Sequence, residues 1–135
     1  MRKGLKPAGG PTANTRSGPL RVLFLCSRNR RRSPTAEHVF AGLAGVETAS
    51  AGLADDADEV VTSDHIAWAD IVFVMEPVHR RRLERTFPGA LKGVRIVSLD
   101  IADKYAFMDP QLVELLRRRV TPLLKRHGPR REAVG

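Results

Sequence analysis

Two short stretches, "RVLFLC" at 21–26 and "DIVFVME" at 70–76, constrain the fold more than anything else in the chain. Each is an almost unbroken run of aliphatic and aromatic residues without polar alternation, the pattern of a strand covered on both faces. Such strands belong to parallel sheets, and a parallel sheet needs long crossover connections, usually helices. The intervening chain supplies them. "SPTAEHVFAGLA" (33–44) opens with Ser33 as a candidate N-cap and Pro34 in the first turn, and Ala36, Val39, Phe40 and Leu43 recur at helical spacing. "VETASAG" (46–52) reads as a second strand, "DHIAWA" (64–69) as a short helix and "PVHRRRLERTF" (77–87) as a surface helix stopped by Pro88 and Gly89. "VRIVSLD" (94–100) alternates as a fourth strand. "DPQLVELLRRRVTPLLKRH" (109–127) carries an apolar stripe through Leu112, Leu115, Leu116, Leu123 and Leu124, with a bend or break expected at Pro122. The expected class is α/β: an open parallel sheet of about four strands with helices on both faces and right-handed crossovers.

The 135 residues make one domain, expected at 20–128, between a flexible basic tail (1–19) and a short C-terminal tail (129–135). No apolar run approaches the roughly 20 residues that span a bilayer, and the N-terminus has no apolar core of a signal peptide, so a cytoplasmic protein with no membrane partner is expected. One cysteine cannot form an intramolecular disulfide, and the histidines show no metal-ligand spacing, so neither a staple nor a metal or organic cofactor is expected. The formal charge of +8 points to an anionic partner, phosphorylated substrate or nucleic acid.

Open parallel sheets bind ligands beyond the carboxyl ends of their strands, and Cys26 ends the first one. From it the chain runs C-S-R-N-R-R-R-S-P, so Ser27, Arg28, Asn29, Arg30, Arg31, Arg32 and Ser33 fill a loop between strand and helix. A loop of that length can turn successive backbone N–H groups inward as an anion nest, strengthened by the helix N-terminus. Arg32 can fork two donors onto phosphate oxygens, and the same positive field favours a thiolate at Cys26. In-line attack by that sulfur would give a cysteinyl-phosphate. The residues also allow a buried structural cysteine in a basic module that binds phosphate or nucleic acid without chemistry. Arg28, Arg30 and Arg31 are placed to ring the mouth and to select a multiply anionic substrate.

"VLFLCSRNRRRSPTAEHVF" (22–40) resembles the low-molecular-weight protein tyrosine phosphatases, whose signature C-x-x-N-x-x-R-S-P is met by Cys26, Asn29, Arg32, Ser33 and Pro34. "SAG" at Ser50, Ala51 and Gly52 is similar to a second landmark, and "DIVFVME" to the family's third strand. The resemblance implies that Cys26 is the nucleophile, that Arg32 grips the phosphate, that Asn29 shapes the loop through a bond toward Ser50, and that Ser33 stabilises the thiolate. It implies a general acid in an Asp-Pro pair, hence Asp109 before Pro110, with Asp103 and Asp100 as substitutes; Asp109 also suits a helix N-cap. It implies a phosphotyrosine protein or related phosphomonoester as substrate; the basic loop and the missing family tyrosines leave nucleotide or RNA phosphate ends as the alternative. Typical members have Gly at the place of Arg28 and a second cysteine at the place of Arg31, so this loop has no disulfide guard. Family tyrosines after the Asp-Pro are replaced by Gln111 and Leu112, which leaves Tyr105 and Phe107 as candidates to flank an aryl group. The family's supporting histidine has no secure counterpart among His38, His65 and His79.

Overall fold

A computed structural model of the chain describes residues 18–127, so the expected tails fall outside the described residues apart from Gly18 and Pro19. Eight elements follow in order: β1 (Leu20–Cys26), α1 (Arg32–Ala41), β2 (Val46–Gly52), α2 (Ser63–Trp68), β3 (Ile71–Val74), α3 (Pro77–Thr86), β4 (Arg95–Ser98) and α4 (Pro110–His127). The strands form one sheet in the order β2-β1-β3-β4, all parallel. Chain order reverses between β1 and β3, because the crossover after β2 steps past β1 to its far side. A crevice opens beyond the strand ends at such a point.

The unbroken apolar runs are explained by what covers them. Val22, Phe24 and Cys26 of β1 face one cluster with Ala36 and Phe40 of α1, Ile71 and Phe73 of β3, and Leu112, Leu116, Val120 and Leu124 of α4. Leu23 and Leu25 face the opposite cluster with Ile66 and Trp68 of α2, Val72 and Val74 of β3, and Leu83 of α3. Phe24 stacks between Phe40 and Phe73, with ring centroids 5.8 and 5.5 Å away. Both sheet faces are therefore dry, which is why neither run alternates.

Two expected details differ. Helix α4 continues through Pro122 without interruption. Helix α1 starts at Arg32 with Arg31 as its N-cap, so Ser33 lies within the first turn and does not cap it. The shift frees the Ser33 hydroxyl for the loop beside it.

Candidate active site

Three consecutive carbonyls after β1 turn the same way. Those of Cys26, Ser27 and Arg28 accept from the N–H groups of Leu53, Ala54 and Asp58 at 3.0, 2.8 and 3.1 Å. In a trans peptide the next residue's N–H points opposite to the carbonyl, so the N–H groups of Ser27, Arg28 and Asn29 are aimed away from that segment. Asn29 N–H reaches Cys26 Sγ at 3.3 Å, and the N–H groups of Ser27, Arg28, Arg30 and Arg31 have no backbone acceptor among the described residues. Asn29 closes the curl with φ of 58°, a left-handed conformation that asparagine tolerates better than most residues. Arg28, standing where family members have glycine, is not in that region and carries no such strain. The glycine needed here is Gly52: a Cβ on it would lie 2.5 Å from the Ser27 carbonyl oxygen.

Side chains direct the hydrogens. The Asn29 amide donates to both Ser33 Oγ and Ser50 Oγ at 2.9 Å, so each hydroxyl is left to donate onward. Ser50 donates to Glu37 Oε1 at 2.5 Å. Ser33 Oγ lies 3.0 Å from Cys26 Sγ and 3.4 Å from the Ala51 carbonyl, so the sulfur is its nearer acceptor. Two donors, Ser33 O–H and Asn29 N–H, thus converge on one sulfur.

Arg32 is 3% exposed and held from behind. Its Nη1 donates to Glu76 Oε2 at 2.5 Å and to the Ile101 carbonyl at 2.6 Å, and Asp103 Oδ1 stands 3.7 Å from Nε. Nε and Nη2 make no hydrogen bond among the described residues, so this edge, with Asp103 beside it, is the one that can meet a ligand. Cys26, Ser27, Arg28, Arg30, Arg31, Arg32 and Asp103 together line a cleft of about 410 Å³.

Solved structures with this arrangement of elements are known. The chain matches YwlE arginine phosphatase from Geobacillus stearothermophilus at 24% identity over 86% of this chain and 100% of that one, with a TM-score of 0.67. A low-molecular-weight protein tyrosine phosphatase from T. tengcongensis matches at 22% identity over 79% and 99%, TM-score 0.67. Wzb of Vibrio vulnificus, in complex with benzylphosphonate, matches at 22% identity over 81% and 99%, TM-score 0.66. The fold is that of the low-molecular-weight tyrosine phosphatases. No protein-family model and no curated protein matches the sequence.

Within this phosphatase fold the expected acids are distributed unevenly. Asp103 lines the cleft, whereas Asp109 does not: its Oδ1 accepts the Gln111 N–H at 2.8 Å and its carbonyl accepts from Val113 at 2.9 Å, the bonding of an N-cap. Asp100 accepts from the Ser98 hydroxyl at 3.2 Å, also outside the cleft lining. Tyr105 packs against the α1/α4 cluster and Phe107 is exposed, and neither lines the cleft.

Two residues not assigned from the sequence join the site, Glu76 and His79, which form a reciprocal cap at the start of α3. His79 Nδ1 accepts the Glu76 N–H at 3.1 Å, so Nε2 carries the proton and donates to Ser27 Oγ at 3.2 Å. The loop is thus supported by a neutral imidazole. Burial, and then the nearby Arg32 guanidinium, lower the His79 pKa from 6.5 to about 4. Because the unfolded chain binds this proton at higher pH than the folded one, stability is complete above about pH 6.5 and falls as the pH drops toward 4. The loss reaches about 3 kcal/mol. In denaturant titrations His79→Gln should remove that component of the slope between those pH values; unchanged slopes would show that His79 is not the group responsible.

Proposed function

We propose that the protein is a cysteine-dependent phosphomonoesterase of the protein tyrosine phosphatase type. The observation that carries this reading is the convergence on one cleft of a sulfur with two donors aimed at it, a forked guanidinium edge and a carboxyl group. Cys26 Sγ attacks phosphorus, forming S–P as the ester P–O bond breaks, and the leaving oxygen takes the proton of Asp103. Loop N–H groups and the Nε–Nη2 edge of Arg32 hold the equatorial oxygens as charge develops on them. Water then attacks the cysteinyl-phosphate, giving its proton back to Asp103, and the S–P bond breaks to release inorganic phosphate. Asp103 is assigned the acid because it alone of the three candidate aspartates lines the cleft.

Among the described residues no aromatic side chain lines the cleft, which favours, as a second reading, a nucleotide or RNA phosphate end as substrate. Both readings use the same chemistry and differ only in the leaving group.

Purified protein is expected to hydrolyse a chromogenic aryl phosphate in the presence of chelator, with competitive inhibition by vanadate. Asp103→Asn should lower kcat about 10²- to 10³-fold on an alkyl phosphate, and far less on an aryl phosphate whose phenoxide leaves without help. Asp109→Asn should change both within about threefold, since it alters an N-cap. A leaving-group effect on Asp109→Asn with none on Asp103→Asn would reverse the assignment.

A further inference from the structure

We propose that Arg31 is a specificity determinant that binds a carboxylate beside the phosphorylated residue, so that the cleft selects acidic phosphopeptides. The inference rests on the phosphatase reading of the same cleft.

Four arginines line the cleft, yet they are not equivalent. Arg32 is buried and committed to Glu76, Ile101 and the phosphate edge. Arg28 Nη1 pairs with Asp56 Oδ2 at 3.5 Å. Arg30 Nε pairs with Asp58 Oδ1 at 3.1 Å, and its Nη2 donates to the Asp56 carbonyl at 3.2 Å. Exposed pairs of this kind add little stability, but each sets an opposite charge beside its guanidinium that an incoming carboxylate must displace. These are also held in place by more than side chains: the segment carrying Asp56 and Asp58 is fastened to the loop by the Ala54 and Asp58 N–H groups, bonded to the Ser27 and Arg28 carbonyls.

Arg31 differs on both counts. It is exposed at the cleft wall and has no ion pair among the described residues. Its backbone is fixed, because its carbonyl accepts from Thr35 N–H at 3.1 Å and Thr35 Oγ1 at 2.6 Å. The mouth therefore offers one uncompensated guanidinium on a rigid base. One guanidinium matches one carboxylate, which it can grip with two parallel bonds. A nucleic acid strand draws its affinity from several cations set along the backbone, and two of the three arginines at this rim already have carboxylate partners.

The test uses two phosphotyrosine peptides identical except for Glu or Gln next to the phosphotyrosine, with kcat/KM measured for the wild type, Arg31→Gln and Arg30→Gln. The wild type should prefer the Glu peptide about fivefold, mainly through KM, and added salt should shrink the preference. Arg31→Gln should bring the ratio near one, while Arg30→Gln should keep it near the wild-type value. A wild-type ratio near one, or a full preference retained in Arg31→Gln, would overturn the inference and leave the phosphatase reading standing. So would a higher kcat/KM on an end-phosphorylated oligonucleotide or a nucleoside bisphosphate than on the Glu peptide. No turnover of either peptide or of a simple aryl phosphate would overturn the phosphatase reading and this inference with it.

Discussion

Cys26→Ser is expected to lower turnover of an aryl phosphate by about 10⁴-fold or more, while the protein stays folded and still binds phosphate. The size of the effect follows from chemistry that no other group in the cleft can supply. A serine hydroxyl at this position would have to lose a proton to attack, and its neighbours Ser33 and Asn29 are donors, arranged for an anion and unable to take that proton. Binding should survive because the oxygens of a bound phosphate face the loop N–H groups and Arg32, which the substitution leaves in place. Any phosphoryl group that the Cys26→Ser protein accepts is expected to arrive slowly, because no neighbour takes the serine proton, and to leave more slowly still. Intact mass spectrometry alongside steady-state assays checks both parts. Residual activity above about a tenth of wild type would contradict the nucleophile assignment.

Arg32→Lys is expected to reduce kcat/KM by about 10²- to 10³-fold, with thermal stability changed much less than activity. Lysine keeps the positive charge, so Glu76 retains a partner, and the substitution isolates geometry from charge. What it removes is the planar fork: the wild-type side chain spends Nη1 on Glu76 and the Ile101 carbonyl and still presents Nε and Nη2 to the cleft. An ammonium that satisfies Glu76 has no second edge to offer. Vanadate, which takes the trigonal-bipyramidal shape of the transferring group, should lose affinity in parallel with kcat/KM. Inorganic phosphate, a ground-state ligand, should lose less. If Arg32→Lys were within about threefold of wild type, the fork would have no role in the reaction.

Much of this was legible in the sequence because it is encoded locally. The strand-loop-helix unit from Leu20 to Ala41 shows in an apolar run, a turn of polar residues and a helical period, and repetition of such units implies a parallel sheet, though not its strand order. Asn29, Ser33 and Ser50 could be placed by resemblance, and the distances among them give that resemblance a physical content. The general acid was harder. An Asp-Pro pair suits both an acid loop and a helix start, and Asp109 adopts the second role. Which aspartate faces the cleft depends on the path of residues 99–109, set by contacts remote in sequence: Arg119 Nη1 donates to the Leu99 and Asp100 carbonyls, Ile101 N–H bonds to the Met75 carbonyl, and Met108 N–H bonds to Thr35 Oγ1. Glu76 was hidden for a related reason, and His79 could not be told apart from His38 and His65 as a supporting histidine. In "MEPVHRRRLER" the basic run reads as a solvated helix face, and most of it is exposed. Their spacing of three residues around Pro77 was the available signal, since an N-cap acid and an N3 imidazole can bond reciprocally.

The pairing of the arginines at the mouth is likewise not legible in the sequence, although Arg28, Arg30 and Arg31 do line the cleft. Counting arginines suggested a strongly basic ring, but Asp56 and Asp58, from a segment that looked like a polar loop, fold back on two of them. Charge composition reports what a chain carries, and pairing decides how much of it a substrate meets.

If a phosphoryl group passes through the Cys26 sulfur, the cysteinyl-phosphate can be trapped. The protein is mixed with an aryl phosphate, quenched in denaturant during the first turnovers, digested and mapped by mass spectrometry. One phosphoryl group is expected on the peptide containing Cys26, rising and decaying with the burst of phenol and absent when vanadate is added first. Hydrolysis proceeding at the same rate with Cys26 unmodified at every time point would contradict it.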